Sequence, residues 1–313
     1  MKHSIIEAPE SRAIPPRREM SLRDTLAATS VAVVWGLTFI AIKVGVGETS
    51  PLALSALRFL FAAIPCVFFI KPPKAPAWTV ALYGLVIGVG QFGVLFIAID
   101  QGFPVGLASL VIQAQAFFTI FLAWAFQGER PRLAQMAGAG VALAGMAIIA
   151  SERLAGASLG PFTLVVLAAL FWATGNAVAE GVGKRVGNVD MLALTVWSSL
   201  AAPAPLFLMS LVFEGQGALA ALIHPSLKLV MSVLVLSYAG TVFGYGLWAW
   251  LLSRHFAASV APFALLVPIV GMAAGFFIFG EQASPVELCG GVLIMAGLGI
   301  NVFGDRAERP RSA

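Results

Sequence analysis

Ten stretches of this chain are each long and apolar enough to cross a lipid bilayer, and they leave little sequence over. They run near residues 24–46, 52–70, 77–99, 105–127, 132–150, 160–180, 190–213, 228–252, 257–279 and 285–304. A helix crossing a hydrocarbon core about 30 Å thick needs roughly 20 apolar residues. Backbone in lipid must satisfy its own hydrogen bonds, and these runs are too long and too evenly apolar for barrel strands. Composition agrees: 59% of the 313 residues are apolar and 11% charged, where soluble domains carry roughly 25% charged residues. A water-facing surface cannot be covered with so few charges. The expected fold class is an all-α polytopic membrane protein with ten transmembrane helices and the lipid bilayer as partner.

The net charge of +4 invites a nucleic-acid reading. The basic residues, however, lie in short runs between apolar blocks and form no stripe, so nucleic acid is not expected as a partner. They set topology instead, because loops on the cytoplasmic side collect Lys and Arg. With the N-terminus inside, the inner segments hold Lys2, Arg12, Arg17, Arg18, Arg23, Lys71, Lys74, Arg130, Arg132, Lys184, Arg185, Arg254, Arg306, Arg309 and Arg311. The outer segments hold Arg153 and Lys228, while Lys43 and Arg58 lie within helices. Both termini are therefore expected in the cytoplasm. Residues 1–23 lack the apolar core of a signal peptide and read, like 305–313, as a cytoplasmic tail. Cys66 and Cys289 fall near opposite faces, too far apart for a bridge that needs Cα atoms roughly 4.4–6.8 Å apart.

The halves 24–150 and 160–304 resemble each other. WGLTFIAIK (Trp35 to Lys43) answers to WATGNAVAE (Trp172 to Glu180), and Gly128-Glu129 to Gly280-Glu281. In the register of those two Gly-Glu pairs, Gly138 falls on Gly290 and Gly145 on Gly297. Five helices per half is an odd number, so the second copy enters the membrane from the other side as an inverted repeat. Two like units of opposite orientation can exchange roles, opening a shared site to each face in turn.

Several segments carry a family resemblance: WGLTFIAIK, Arg58-Phe59, LASLVIQAQAFFTI (107–120), the two Gly-Glu helix ends, GYGLW (244–248) and LLVPIVG (265–271). Together they resemble the EamA branch of the drug/metabolite transporter superfamily over residues 24 to 304. Within it the likeness is greatest to bacterial exporters of O-acetylserine and cysteine. The resemblance implies a ten-helix fold, a central substrate cavity, alternating access, small amino-acid-like solutes moved outward, and a bacterial inner-membrane location; no cofactor is expected. Other metabolite or drug exporters of the superfamily share much of the pattern, so the substrate stays open.

Polar groups are costly inside a membrane and usually face the bundle interior. Lys43 and Arg58 read as a cationic patch for a substrate carboxylate, Arg58 offering a bidentate fork. The plainer alternatives are snorkelling for Lys43 and an ion pair of Arg58 with Glu48, Asp100 or Glu281. Gln113 and Gln115 are separated by about 200° on a regular helix, so one is expected to line the path and the other to bond a neighbouring helix. Gln91 has similar standing. Asn176 shares a face with Trp172 and either lines the cavity or bonds between helices. Tyr245 and Trp248 share a face deep in their segment and read, with Trp35, as an aromatic wall. Pro262 and Pro268 each remove a helical hydrogen bond and are expected to kink the ninth helix or bare a carbonyl. Glu180 reads as an interfacial loop residue, and the Gly-Glu ends read as structural turns.

No catalytic constellation is visible. Gly181 to Arg185 lacks the glycine spacing and the Ser/Thr of a phosphate-binding loop. His3, His224 and His255 have no metal-ligand spacing, so no metal is expected. An intramembrane lipid-modifying enzyme is the alternative from another class.

Overall fold

A computed structural model describes residues 20–155, 159–187, 189–215 and 223–307. Most of the two expected tails, with Lys2, Arg12, Arg17, Arg18, Arg309 and Arg311, lies outside them. Among the described residues the chain folds into ten membrane-spanning helices, the bent pair below taken as one, forming two inverted five-helix repeats. Nine are spans in their own right: α1 (Leu22–Val46), α2 (Pro51–Phe68), α3 (Ala77–Asp100), α4 (Val105–Phe126), α5 (Leu133–Leu154), α6 (Leu159–Val186), α8 (Leu227–Arg254), α9 (Ala261–Phe279) and α10 (Pro285–Gly304). The remaining span, α7, is a pair, Met191–Ser198 and Pro203–Phe213, bent by 41° at its break. Pro203 has no N–H with which to continue the ladder. The even count puts the start of α1 and the end of α10 at one face, called here the near face, and the opposite one the far face.

Large apolar side chains cover the outside. Phe126 and Phe277 are 82% and 81% exposed, which only lipid makes affordable. The sixth segment is longer than its apolar pattern, and Glu180 lies on α6, paired with Lys184 at 2.8 Å, instead of in a loop. Both cysteines are free.

The inverted repeat is visible in where the helices depart from α geometry. α3 contains a π-helical stretch at Val86–Gly93 and α8 one at Val235–Phe243. α4 tightens to a 3-10 turn at Ile112–Ala114, and the chain leading into the body of α9 does so at Ala261–Leu265. α4 and α9 both end on a left-handed glycine, Gly128 at φ 73° and Gly280 at φ 65°. At the start of the next helix, the Arg132 N–H donates to Gln135 and its mate Ser284 N–H to Glu287.

Packing of α5 on α10 obeys the same symmetry. A Cβ placed on Gly138 would lie 2.6 Å from the Gly297 carbonyl oxygen, and one on Gly145 would lie 2.5 Å from that of Gly290. Gly138 and Gly290 are repeat mates, as are Gly145 and Gly297. A two-fold axis between the helices requires this reciprocity, because each contact generates its partner.

Candidate functional site

The helix irregularities converge on one interior cavity of about 400 Å³. Its walls include Trp35 from α1, Arg58 from α2, Gln91 and Phe92 from α3, Gln113 and Gln115 from α4, Trp172 and Asn176 from α6, and Tyr245 and Trp248 from α8. It extends towards the near face as far as Met191, the first residue of α7, and Leu252, close to the end of α8. At the other end it stops at Ile42 and Leu95, which are 1% exposed.

Arg58 is 3% exposed although it carries a charge. Its Nη2 donates to Thr241 Oγ1 at 3.3 Å, and its guanidinium lies 3.7 Å from the centre of the Phe92 ring. Nε and Nη1 have no partner. No ion pair joins Arg58 to an acid among the described residues; of the three expected acids, Glu281 holds Lys43 and Glu48 holds Lys228. The backbone fixes the arginine in place, its carbonyl accepting from Ser237 Oγ at 2.9 Å. Thr241 is held by a bond to the Leu236 carbonyl, five residues back within the π stretch. So α2 carries the charge, and the irregular part of α8 supplies its hydroxyl partner and its anchor.

A second unmet group lies on the same walls. Gln91, 2% exposed, has a side-chain oxygen without a donor. Two residues of the cavity wall therefore bury between them two unused cationic donors and one unused acceptor, each costly to leave unsatisfied. A solute carrying a carboxylate and an N–H or O–H group would satisfy both.

The cationic-patch expectation fails for Lys43. It lines no part of the cavity and pairs with Glu281 at 2.7 Å. Its length and its place at the end of α1 bring the ammonium to the acid that follows α9, so it neither joins Arg58 nor snorkels alone. The expectation that Gln113 and Gln115 cannot share a cavity also fails. The turn at Ile112–Ala114 has about three residues per turn, which narrows their separation from roughly 160° to roughly 120°. Both side chains line the walls.

The two glutamines are nevertheless tied back. Gln113 Nε2 donates to the Ala264 carbonyl at 3.4 Å. That carbonyl lies four residues before Pro268, whose missing N–H leaves it without its helical donor. Gln115 Oε1 accepts from Asn176 Nδ2 at 2.9 Å, and the same amide reaches Thr119 Oγ1 at 3.2 Å. Asn176 thus does both things expected of it separately. The aromatic wall is Trp35, with Tyr245 5.4 Å and Trp248 5.3 Å from it, centre to centre. Trp35 Nε1 donates to the Gly240 carbonyl in the π stretch at 2.9 Å.

Sequence reasoning passed over Tyr83, Phe92, Thr241 and, as a wall, Trp172. Trp172 was findable as the repeat mate of Trp35. The rest carry no signal without the fold. Among the described residues no group of three His, Cys, Asp or Glu stands ready for a metal.

Comparison with known proteins gives concordant results. The model of the EamA-like transporter family matches residues 24–151 and again residues 160–303. A probable amino-acid metabolite efflux pump of Salmonella typhimurium is 43% identical over 293 residues, covering 93% of this chain and 98% of that protein. A protein of the same description from Escherichia coli is 41% identical, covering 92% and 97%. A probable terminal-alkyne amino-acid exporter of Streptantibioticus cattleyicolor is 28% identical over 87% of this chain and 91% of that protein. A protein of known crystal structure shares the fold at a TM-score of 0.59 and 19% identity, covering 89% of this chain and 96% of that one.

Proposed function

The chain belongs to the EamA-like transporter family and is a transporter, not an enzyme; from that premise we propose that it exports amino-acid-like metabolites by alternating access, with Arg58 receiving the substrate carboxylate. The observation that carries this reading is a buried arginine on the cavity wall whose guanidinium keeps two donors without partners. A carboxylate would accept from Nε and Nη2, or from Nη1 and Nη2, the two forks an arginine offers, with Nη2 released from Thr241. Gln91 Oε1 would take a hydrogen from the amino or hydroxyl group of the same solute. Trp35, Tyr245 and Trp248 would flank its apolar part, and Gln113, Gln115 and Asn176 would meet its far end. Lys43 is no longer assigned to substrate.

O-acetylserine and cysteine are the substrates proposed first, on the sequence resemblance. The cavity volume favours a wider set, because a cysteine-sized molecule leaves much of about 400 Å³ to water. We place the chain in the bacterial inner membrane with both termini cytoplasmic, so that the near face is the loading side, and we assign residues 24–150 and 160–304 as its two functional halves. Counterflow in proteoliposomes tests the reading. O-acetylserine, cysteine and larger amino acids should exchange, and their carboxamide analogues should not. Exchange of amide and acid at equal rates would overturn it.

A further inference from the structure

Directly above the cavity's far end lies a second charged cluster. Ile42 closes the cavity, and Lys43, the next residue, donates to Glu281 Oε1 at 2.7 Å. The same carboxylate accepts from the N–H groups of Val105 and Gly106, each at 3.0 Å, one on each oxygen. Glu281 thereby fastens the end of α9 to the end of α1 and to the first turn of α4, with 14% of its side chain exposed. The helices themselves touch there: a Cβ on Gly275 would lie 3.1 Å from the Gly106 nitrogen.

The inverted repeat has a counterpart at the near face. Glu129 is the repeat mate of Glu281 and pairs with Lys184 of α6 at 3.2 Å, both side chains more than half exposed at 57% and 53%. In the Gly128 and Gly280 register, the mates of Val105 and Gly106 are Ala257 and Ala258, the start of the helical turn that leads into α9. At the far face Val105–Val111 packs closely along Leu266–Phe279. At the near face Gln115–Gln127 and Ala257–Val260 do not pack to that extent among the described residues. One mouth is latched and its symmetry mate is parted.

We propose that Glu281 is the latch of the far mouth, and that in the opposite-facing state Glu129 takes the mirrored position, its carboxylate on the amides of Ala257 and Ala258. The exchange follows from the repeat: each half holds one carboxylate after a left-handed glycine, and Glu281 already sits on the first turn of the other half's matching helix. Glu281, bonded to two amides and an ammonium, loses all three on opening; at the near face the mate of Lys43 is Glu180, and Lys184 is the ammonium that pairs with Glu129. The state with neither mouth latched is then disfavoured, and the cavity is kept from opening to both faces at once. Solute seated at Arg58 and Gln91 would offset the release. This inference rests on the alternating-access reading above.

Impermeant thiol labelling tests it, in a chain with Cys66 and Cys289 replaced by alanine. A reporter at Ile42→Cys is reached from each face separately. Adding a transported amino acid to the otherwise native chain should raise far-face labelling and lower near-face labelling. No response to solute there would sink alternating access itself. Glu281→Gln should raise far-face labelling roughly tenfold or more without solute, as expected for loss of a charge-assisted bond, and near-face labelling should fall. Glu281→Asp should lie between. Faster labelling from both faces at once would mean a merely structural role and overturn the latch, as would an unchanged Glu281→Gln in a chain that does respond to solute. A cysteine pair at Ala123 and Ala258, the mates of Gly275 and Gly106, supplies the second measurement. It should cross-link when solute is added or Glu281 is Gln. Cross-linking that ignores both would overturn the exchange to Glu129.

Discussion

The side-chain amide of Gln113, in the first repeat, donates to the main-chain carbonyl of Ala264, in the second, across 3.4 Å. Pro268 makes that carbonyl available, having no N–H to offer it, and the 3-10 turn at Ile112–Ala114 brings the glutamine round to it. Two local defects, each unfavourable alone, complete one another. Between them they set the wall of the cavity at the seam of the repeats.

Pro268→Ala should therefore impair transport more than stability. The new N–H can offer Ala264 the helical bond it lacks, competing with Gln113 for that acceptor. A helix gains by regaining a bond, so the melting temperature in detergent should hold or rise. The counterflow rate should drop several-fold. A rate equal to that of the unaltered protein would show that the bared carbonyl has no part in the cycle.

Arg58 gives a sharper expectation. A charge-assisted hydrogen bond contributes about 1.5–3 kcal/mol, and each 1.4 kcal/mol is about tenfold in affinity. Arg58→Ala should weaken binding of an amino-acid substrate by roughly ten- to a hundredfold, and its carboxamide much less. Arg58→Lys should restore part of the affinity, since an ammonium offers charge without the fork. Isothermal titration of acid and amide against the three proteins checks this, and an equal loss for both ligands would remove the carboxylate from Arg58.

Trp35 joins the aromatic wall to the π stretch of α8 through its indole N–H. Trp35→Phe keeps an aromatic face and leaves the Gly240 carbonyl without that donor. The expected cost is about 1 kcal/mol of stability, read as a lower melting temperature, with substrate selectivity shifted towards smaller side chains as Tyr245 and Trp248 relax into the space. Unchanged melting and selectivity would mean that the wall does not depend on this bond.

The spans were legible because lipid admits few alternatives: an apolar run of twenty residues in hydrocarbon is a helix. The repeat was legible in the same way, through Trp35 with Trp172 and Gly128 with Gly280. What the sequence hid was departure from regular geometry. Nothing in the order Ile112-Gln113-Ala114-Gln115 announces a 3-10 turn, so a rotation of 100° per residue sent the two glutamines to different faces. The π stretches in α3 and α8 were equally silent. Partnership was hidden too. Lys43 and Glu281 are 238 residues apart, and only the fold reveals that this acid is committed to Lys43 and absent from Arg58. The break in α7 was partly readable from Pro203, yet an unbroken apolar run masked it.

The strongest test of the inverted fold uses glycines that meet helix backbone. A side chain on Gly297 would come within 2.4 Å of the Gly138 carbonyl oxygen, whereas one on Gly140, also on α5, meets nothing within 4 Å. Because the obstacle is main chain, it cannot swing aside, and α5 and α10 must separate. Overpacking typically costs about 1–3 kcal/mol, and this case belongs at the upper end. Gly297→Leu should lower the melting temperature and the yield of folded protein, and Gly138→Leu, on the other side of the same contact, should do the same. Combining the two should cost less than the sum, since helices already parted by one side chain admit the second more easily. Gly140→Leu should leave the melting temperature unchanged within error, exposing its side chain to lipid. Equal damage from Gly140→Leu and Gly297→Leu would mean that general helix disturbance, and not the reciprocal glycine contact, governs stability. The two-fold packing of α5 on α10 would then lose its energetic basis.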